Sequence, residues 1–268
     1  MTQTIQNVSD TAFMVAGFRA LENEQPKPLF HDPLAAKLVG DHGKEILATI
    51  PRHFVGAWSV VIRTVIIDDY IRQAVAAGVD TILNLGAGLD TRPYRIELPS
   101  SLRWIEGDFL HMIELKETRL ADEKPGCRLE RIKLDLTDRA LRRRLFSNVN
   151  ARAGKILVLT EGVIPYLTNE DVAELADDLR QAKKIGFWIT TISPPRPFAM
   201  ARKCARASCA THALSQFEAE AVPENHPAVT QLNRLFVVKL ASWSDSSHTT
   251  LAPHPPEATD LVILLEAA

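Results

Sequence analysis

Polar and apolar positions follow two regimes along the chain. Up to about residue 78 the spacing is helical. Ser9 or Asp10 can cap a segment carrying Phe13, Met14, Ala16, Gly17 and Ala20, and Asp32 followed by Pro33 opens another by the same rule. From about Phe54 to Ala77, Val61, Val65, Tyr70 and Val75 mark an apolar side that Arg63, Asp68, Asp69 and Arg72 interrupt, and Gly78 ends the run. Short strand-like runs then take over: TILNLG (81–86), LRWIEGD (102–108), LERIKLD (129–135), KILVLTE (155–161) and GFWITTI (186–192). Helical patterns such as LHMIELKETRLA and NEDVAELADDLRQA separate them. Strands roughly 20 to 30 residues apart with helices between them predict βαβ crossovers, hence an α/β, doubly wound, mostly parallel sheet. After Ile192 the alternation stops, and half of the 16 prolines fall in residues 194–268. RLFVVKLASW and TDLVILLEAA predict a pair of strands at the sheet edge, with SDSSHTTLAPHPPEA as an exposed loop between them.

A length of 268 residues suits one large domain, without internal repeats. The 31 Lys+Arg against 33 Asp+Glu leave a net charge of -2, without the broad cationic field that holds a protein on phosphate backbones, so nucleic acid is not the expected partner. The cluster RALRRRLF (139–146) does not change this, because Arg142, Arg143 and Arg144 point to different sides of a helix and read as a solvated face. Arg196, Arg202, Lys203 and Arg206 read the same way. Cys127, Cys204 and Cys209 form no CxxC pair and have no His at metal-ligand spacing, so neither a metal site nor a disulfide framework is expected. The N-terminus is polar, and no uncharged apolar run reaches the roughly 18 residues that span a bilayer. A soluble, cytoplasmic chain without membrane contact is the expectation.

Ligands of open α/β sheets sit beyond the carboxyl ends of the strands, and here those ends are polar. The first strand runs into NLGAGLDTR, where Gly86 and Gly88 let backbone approach a ligand without Cβ interference. Asp108 ends the second strand 20 residues after Gly88, where nucleotide folds place the carboxylate that holds ribose hydroxyls. Asp135 follows the third strand and Glu161 the fourth. Each has a blander reading; Asp135 or Thr137, for instance, can cap the helix of ALRRRLF. Two nucleotide classes compete. A dinucleotide site keeps a third glycine so that a helix N-terminus meets the pyrophosphate, whereas this chain has Thr91 there, preceded by Asp90, whose carboxylate is expected to repel a pyrophosphate. S-adenosylmethionine carries no phosphate but a sulfonium and an ammonium, which suit an acidic first loop and Glu161 better. His111 and Glu161 are the candidate bases, with a surface or packing role as the plainer reading of His111.

LNLGAGLDTRPYR, GDFLHMIELK and LTEGVIPYLT, with VSDTAFMVAGFRALE and LFHDPLA before them, resemble the leucine carboxyl methyltransferase-like family, in particular its bacterial branch linked to polyketide O-methylation. The resemblance covers about residues 8 to 182. It implies a class I methyltransferase fold, S-adenosylmethionine as methyl donor, and transfer to a carboxylate or hydroxyl oxygen of a small-molecule acceptor. By matching position it implies that Arg63 holds the donor's carboxylate and that Gly86 and Gly88 pass beneath the methionine moiety. Asp108 then binds the ribose hydroxyls, Asp135 with the backbone of Leu136 recognises adenine, Glu161 lines the methionyl side, and Tyr166 faces the acceptor. Residues 1–78 are then expected as an N-terminal helical lid, 79–268 as the donor-binding core, and 194–268 as the acceptor side and edge strands. EGDFLHM departs from the family pattern, which has a proline soon after the aspartate. An NAD-dependent oxidoreductase and a non-catalytic S-adenosylmethionine-binding homologue are the alternatives. The sequence carries no signature of oligomeric state.

Overall fold

The computed structural model describes residues 8–50, 55–192, 218–221, 236–241 and 261–266. Strands β1 (Thr81–Leu85), β2 (Arg103–Asp108), β3 (Arg128–Lys133), β4 (Ile156–Thr160) and β5 (Ile185–Ile192) run parallel. With β6 (Glu218–Ala221), β7 (Phe236–Ala241) and β8 (Leu261–Glu266) they form one sheet in the order β3-β2-β1-β4-β5-β8-β7-β6. Strand β8 is antiparallel to β5 and parallel to β7, and β6 is antiparallel to β7. The central strands β1 and β4 are buried on both faces, which is why they read as continuous apolar runs. This is the doubly wound, mostly parallel α/β architecture expected.

Successive side chains of a strand point to opposite faces, so Ile82 and Leu83 feed two different cores. On one face α3 (Val55–Ala76) lays Ile62, Ile66, Ile67 and Ile71 against Ile82, Trp104, Leu157 and Ile189. On the other, α6 (Arg139–Arg152) and α7 (Asn169–Gln181) cover Leu83, Leu85 and Val158 with Phe146, Val149, Val172, Leu175 and Leu179. A third cluster joins α1 (Val8–Glu22) and α2 (Pro33–Ala48) to the β1 loop and to α5 (Leu110–Arg119), through Phe13, Ala16, Leu38, Val39 and Ile46 on Leu89, Met112 and Leu120. Helix α3 is therefore one of the two layers on the sheet, whereas α1 and α2 pack over the β1 loop.

Local chemistry explains the helix starts. Asp32 caps α2 through Ala35 N–H, with Pro33 in the first turn, as its sequence predicts. Asp138, not Asp135 or Thr137, caps α6 through Leu141 N–H. Arg142 departs from the solvated face expected of it: it is buried, with Asp178 of α7 as counter-ion. The late strands fall inside RLFVVKLASW and TDLVILLEAA, but β8 lies within the sheet beside β5, and β6, which the apolar pattern did not reveal, forms the edge. The loop between β7 and β8, Cys204, Cys209, Arg196, Arg202, Lys203 and Arg206 lie outside the described residues. Among the described residues no helix is long and apolar enough to cross a membrane, and no group of His, Cys, Asp and Glu could hold a metal ion.

Candidate functional site

The parallel strands β1 to β4 end at one side of the sheet, and their following residues meet there. Gly86 and Gly88 both have positive φ, 66° and 48°. A Cβ on Gly86 would stand 2.5 Å from Val163, so that turn requires glycine sterically as well as conformationally. Asp108 closes over this turn: Gly88 N–H donates to Oδ2 at 2.6 Å and Phe109 N–H to Oδ1 at 2.7 Å. Burial pushes the Asp108 carboxyl up from its ordinary value, and the two amide donors oppose that without cancelling it. Leu134 N–H donates to the Asp108 carbonyl at 2.8 Å, tying the end of β3 to the same point. Beyond it Asp135 is exposed, its Oδ1 taking Thr137 N–H at 2.9 Å and Thr137 Oγ1 at 2.7 Å, while Leu136 is buried.

At the end of β4, Glu161 is gripped from two sides. Arg63 Nε donates to Oε1 at 2.8 Å and Arg92 Nη1 to Oε2 at 2.7 Å. Burial alone would raise the Glu161 carboxyl, but the two guanidiniums outweigh it, and the group sits below the ordinary carboxylate range. Arg63 thus reaches the end of β4 from α3.

Arg92 is the residue that sequence reasoning missed. Only 1% exposed, it bonds Asp68 at 2.7 Å and Asp90 at 2.8 Å besides Glu161. Arg95 also bonds Asp68, at 2.5 and 2.9 Å, and Arg19 of α1 bonds Asp32 at 2.9 Å and the Leu89 carbonyl at 2.6 Å. Among the described residues, Arg19, Arg63, Arg92 and Arg95 therefore interleave with Asp32, Asp68, Asp90 and Glu161 in a largely buried array behind the β1 loop. The available signal was the TR pair of GAGLDTR, whose arginine follows directly on the glycine turn.

This array overturns the expectation that Asp90 repels a pyrophosphate. Asp90 is buried, takes bonds from Asn84 Nδ2, Arg92 N–H and Arg92 Nη1, and has its carboxyl held below the ordinary range against the opposing effect of burial. Its charge is compensated within the protein and is not what would repel a pyrophosphate. The helix after the glycine turn discriminates better. It is α4, only four residues long (Arg92–Arg95), with Pro93 in its first turn, so it offers neither a developed dipole nor a full set of amide donors to a phosphate.

Tyr166 and His111 lie at the rim. Tyr166, in the short 3-10 turn Ile164–Tyr166, is 42% exposed and donates to Thr11 Oγ1 at 3.2 Å. His111 Nε2 lies 2.7 Å from Ser9 Oγ, and its ring stacks on Phe109 at 5.9 Å. Both contacts reach α1, whose Ala12 stands 3.2 Å from a Cβ built on Gly88. Gly88, His111 and Tyr166 thus all meet α1.

A family model described as leucine carboxyl methyltransferase matches residues 12–180. A Streptomyces avermitilis protein named as an S-adenosyl-L-methionine-dependent methyltransferase is 37% identical over 130 residues, 46% of each chain. A Mycolicibacterium smegmatis protein of the same name is 31% identical over 205 residues, 69% of this chain and 66% of the relative. The chain spans about half the length of the first of these. A solved Thermobifida fusca protein named as a methyltransferase is 15% identical, covers 100% of this chain and 97% of its own, and has a TM-score of 0.56, a likeness of fold. The matched residues span the glycine turn, Asp108, the Asp135 turn and the Arg63–Glu161–Arg92 cluster, and by this match the chain belongs to the leucine carboxyl methyltransferase family.

Proposed function

We propose that this chain binds S-adenosylmethionine and transfers its methyl group to an oxygen of a small-molecule acceptor. The observation that carries this reading is the largely buried Arg63–Glu161 pair at the end of β4, together with the Asp108 carboxylate on the glycine turn. An α-amino acid is a zwitterion. Its carboxylate matches Arg63 and its ammonium matches Glu161, so it can part this ion pair with no net charge brought into the interior. Asp108 has about four lone-pair sites, and two are used by backbone amides; two remain for a ribose diol. Glycine at 86, where a Cβ would collide with Val163, keeps the turn low beneath the methionyl chain. Asp135 and the Leu136 backbone complete the adenine end. NAD fits less well, since the four-residue α4 cannot receive a pyrophosphate.

When bound, the donor supplies an electrophilic methyl on a sulfonium, and the reaction is an in-line displacement that needs alignment and desolvation rather than a covalent enzyme intermediate. Arg63, Asp108 and Glu161 provide the alignment. Glu161, held ionised by two guanidiniums, is a poor proton acceptor, and His111 and Tyr166 are engaged by α1. An acceptor that is already anionic, a carboxylate, therefore suits the site better than a hydroxyl. Helices α1 and α2 act as the lid, excluding water over the glycine turn, with Tyr166 on the acceptor side. Calorimetric titration with S-adenosylhomocysteine tests the donor, followed by a methyl-transfer screen over carboxylic and phenolic acceptors. Saturable binding of NAD with none of S-adenosylhomocysteine overturns the reading. Tight donor binding without turnover on any acceptor would instead favour a non-catalytic binding protein.

A further inference from the structure

The buried Arg142 lies outside the donor residues considered so far, yet it reaches one of them. Its Nε and Nη2 bond Asp178 Oδ2 at 2.9 and 2.6 Å, and its Nη1 donates to the Leu136 carbonyl at 2.6 Å. Arg142 and Asp178 are 1% and 3% exposed. A guanidinium is costly to bury even when paired, and an apolar side chain of similar volume commonly stabilises a core as well or better. Packing is therefore a weak reason for its presence, and the third arm, onto Leu136, distinguishes it from an ordinary helix-to-helix ion pair.

That arm acts on a single rigid unit. The Leu136 carbonyl and the Thr137 N–H belong to one planar peptide group. Arg142 holds its oxygen, and its N–H donates to Asp135 Oδ1 at 2.9 Å. Thr137 Oγ1 adds a second bond to the same Oδ1 at 2.7 Å, so the peptide plane and the hydroxyl together fix the carboxylate, with Oδ2 outside both bonds. The positive charge on the carbonyl also polarises the peptide, strengthening its N–H as a donor. Asp178 in turn is anchored twice, since Arg143 Nε bonds its Oδ1 at 2.7 Å. The chain of contacts runs from α7 through α6 to the turn that follows β3.

We propose that Arg142 is the positioning residue of the purine end of the donor site: through the Leu136–Thr137 peptide it orients the Asp135 carboxylate to accept the exocyclic amino group of adenine, and so sets discrimination between amino and oxo purines. The inference rests on the reading that Asp135 and Leu136 meet the base. Arginine is required because a fork can serve Asp178 and Leu136 together, whereas an ammonium reaches one of them well.

The test compares dissociation constants of S-adenosylhomocysteine and S-inosylhomocysteine, in which an oxygen replaces the amino group. The wild-type chain should prefer the adenine form by about 10- to 150-fold, the usual weight of a hydrogen bond to a charged group. Arg142→Lys keeps a cation for Asp178 and should reduce that ratio about tenfold or more, with S-inosylhomocysteine affinity held within about twofold. Arg143→Lys touches the same aspartate but not Leu136 and should leave the ratio intact. If Arg142→Lys does not fold, Asp178→Asn, which loosens the guanidinium from its other side, should lower the ratio in the same direction. A folded Arg142→Lys, or failing it Asp178→Asn, with the wild-type ratio overturns the proposal, as does an equal loss of affinity for both nucleosides, which marks a merely structural role. Asp135→Ala separates the two levels. A lowered ratio in Asp135→Ala with an unchanged one in Arg142→Lys removes Arg142 alone, whereas an unchanged ratio in Asp135→Ala removes the adenine reading and the inference with it.

Discussion

Replacing Asp108 probes the donor site most directly, because its geometry sets different costs for different substitutions. Its two oxygens each accept one backbone N–H, from Gly88 and from Phe109. Asp108→Ala removes the acceptor for the ribose and should weaken S-adenosylhomocysteine binding by about 1.5 to 3 kcal/mol, roughly 10- to 150-fold. Asp108→Asn is close in shape but offers only one oxygen. Its amide nitrogen must face Gly88 N–H or Phe109 N–H, donor against donor, so the turn either loses a bond or rotates, and we expect a loss comparable to that of alanine. The pH profile adds an independent readout. Burial raises the carboxyl above its ordinary value in the folded state, so this group's contribution to stability is largest at low pH and declines as pH rises from the unfolded value through the raised one. Ribose hydroxyls bond the ionised form, so affinity should rise over that same window and binding should release a proton. Both effects should vanish in Asp108→Asn. Isothermal titration in buffers of different ionisation enthalpy measures them together. A folded Asp108→Asn with wild-type affinity and an unchanged acid limb would refute the assignment.

Three further outcomes are expected. Arg63→Ala should raise the donor's dissociation constant by roughly 10- to 150-fold, the weight of a charge-assisted bond, whereas Arg72→Ala, in an exposed pair with Asp69 on the same helix, should change it less than about twofold, both read by titration. Arg92→Met should destabilise the fold by about 3 kcal/mol in urea denaturation, the lower end for a broken buried pair, because Arg95 still holds Asp68 and Arg63 still holds Glu161; the lowered carboxyls of Glu161 and Asp90 contribute stability above their ordinary values that is lost as pH falls through the lowered ones, and the variant should lose part of that acid dependence. Hydrogen exchange in α1 and α2 should slow when S-adenosylhomocysteine binds, while α3 stays protected throughout; equal exchange with and without ligand would make α1 and α2 ordinary scaffold.

The strand ends were legible because each follows a short apolar run, and the spacing between runs gives both the sheet and the place where its loops gather. What escaped is charge turned inward. Asp68 interrupts an apolar helix face and reads as solvent-facing, yet its partners Arg92 and Arg95 stand 24 and 27 residues away, beyond any local pattern. Asp90 reads as a loop anion, and only its bonds to Asn84 and Arg92 reveal that it points inward. Arg142 stands in a run of three arginines that one-dimensional spacing spreads around a helix, and the inward position is decided by Asp178 on another helix. The different places of the first three helices were illegible for a related reason: α3 has the same mixed character as α1, and only the sheet it packs on separates them.

The place of β8 bears on how the molecule is made. It is the last described strand in chain order, yet it pairs with β5 on one side and β7 on the other. A ribosome releases β1 to β5 first, and these can pair among themselves as they emerge. Among the described strands β6 and β7 join the rest of the sheet through β8, so they must wait until β8 arrives to bridge them to β5. Three of the sheet's eight described strands are therefore joined at a single late event. A nascent chain arrested before residue 261 would already possess the glycine turn, Asp108 and the Arg63–Glu161–Arg92 cluster, with the open edge of β5 exposed beside them.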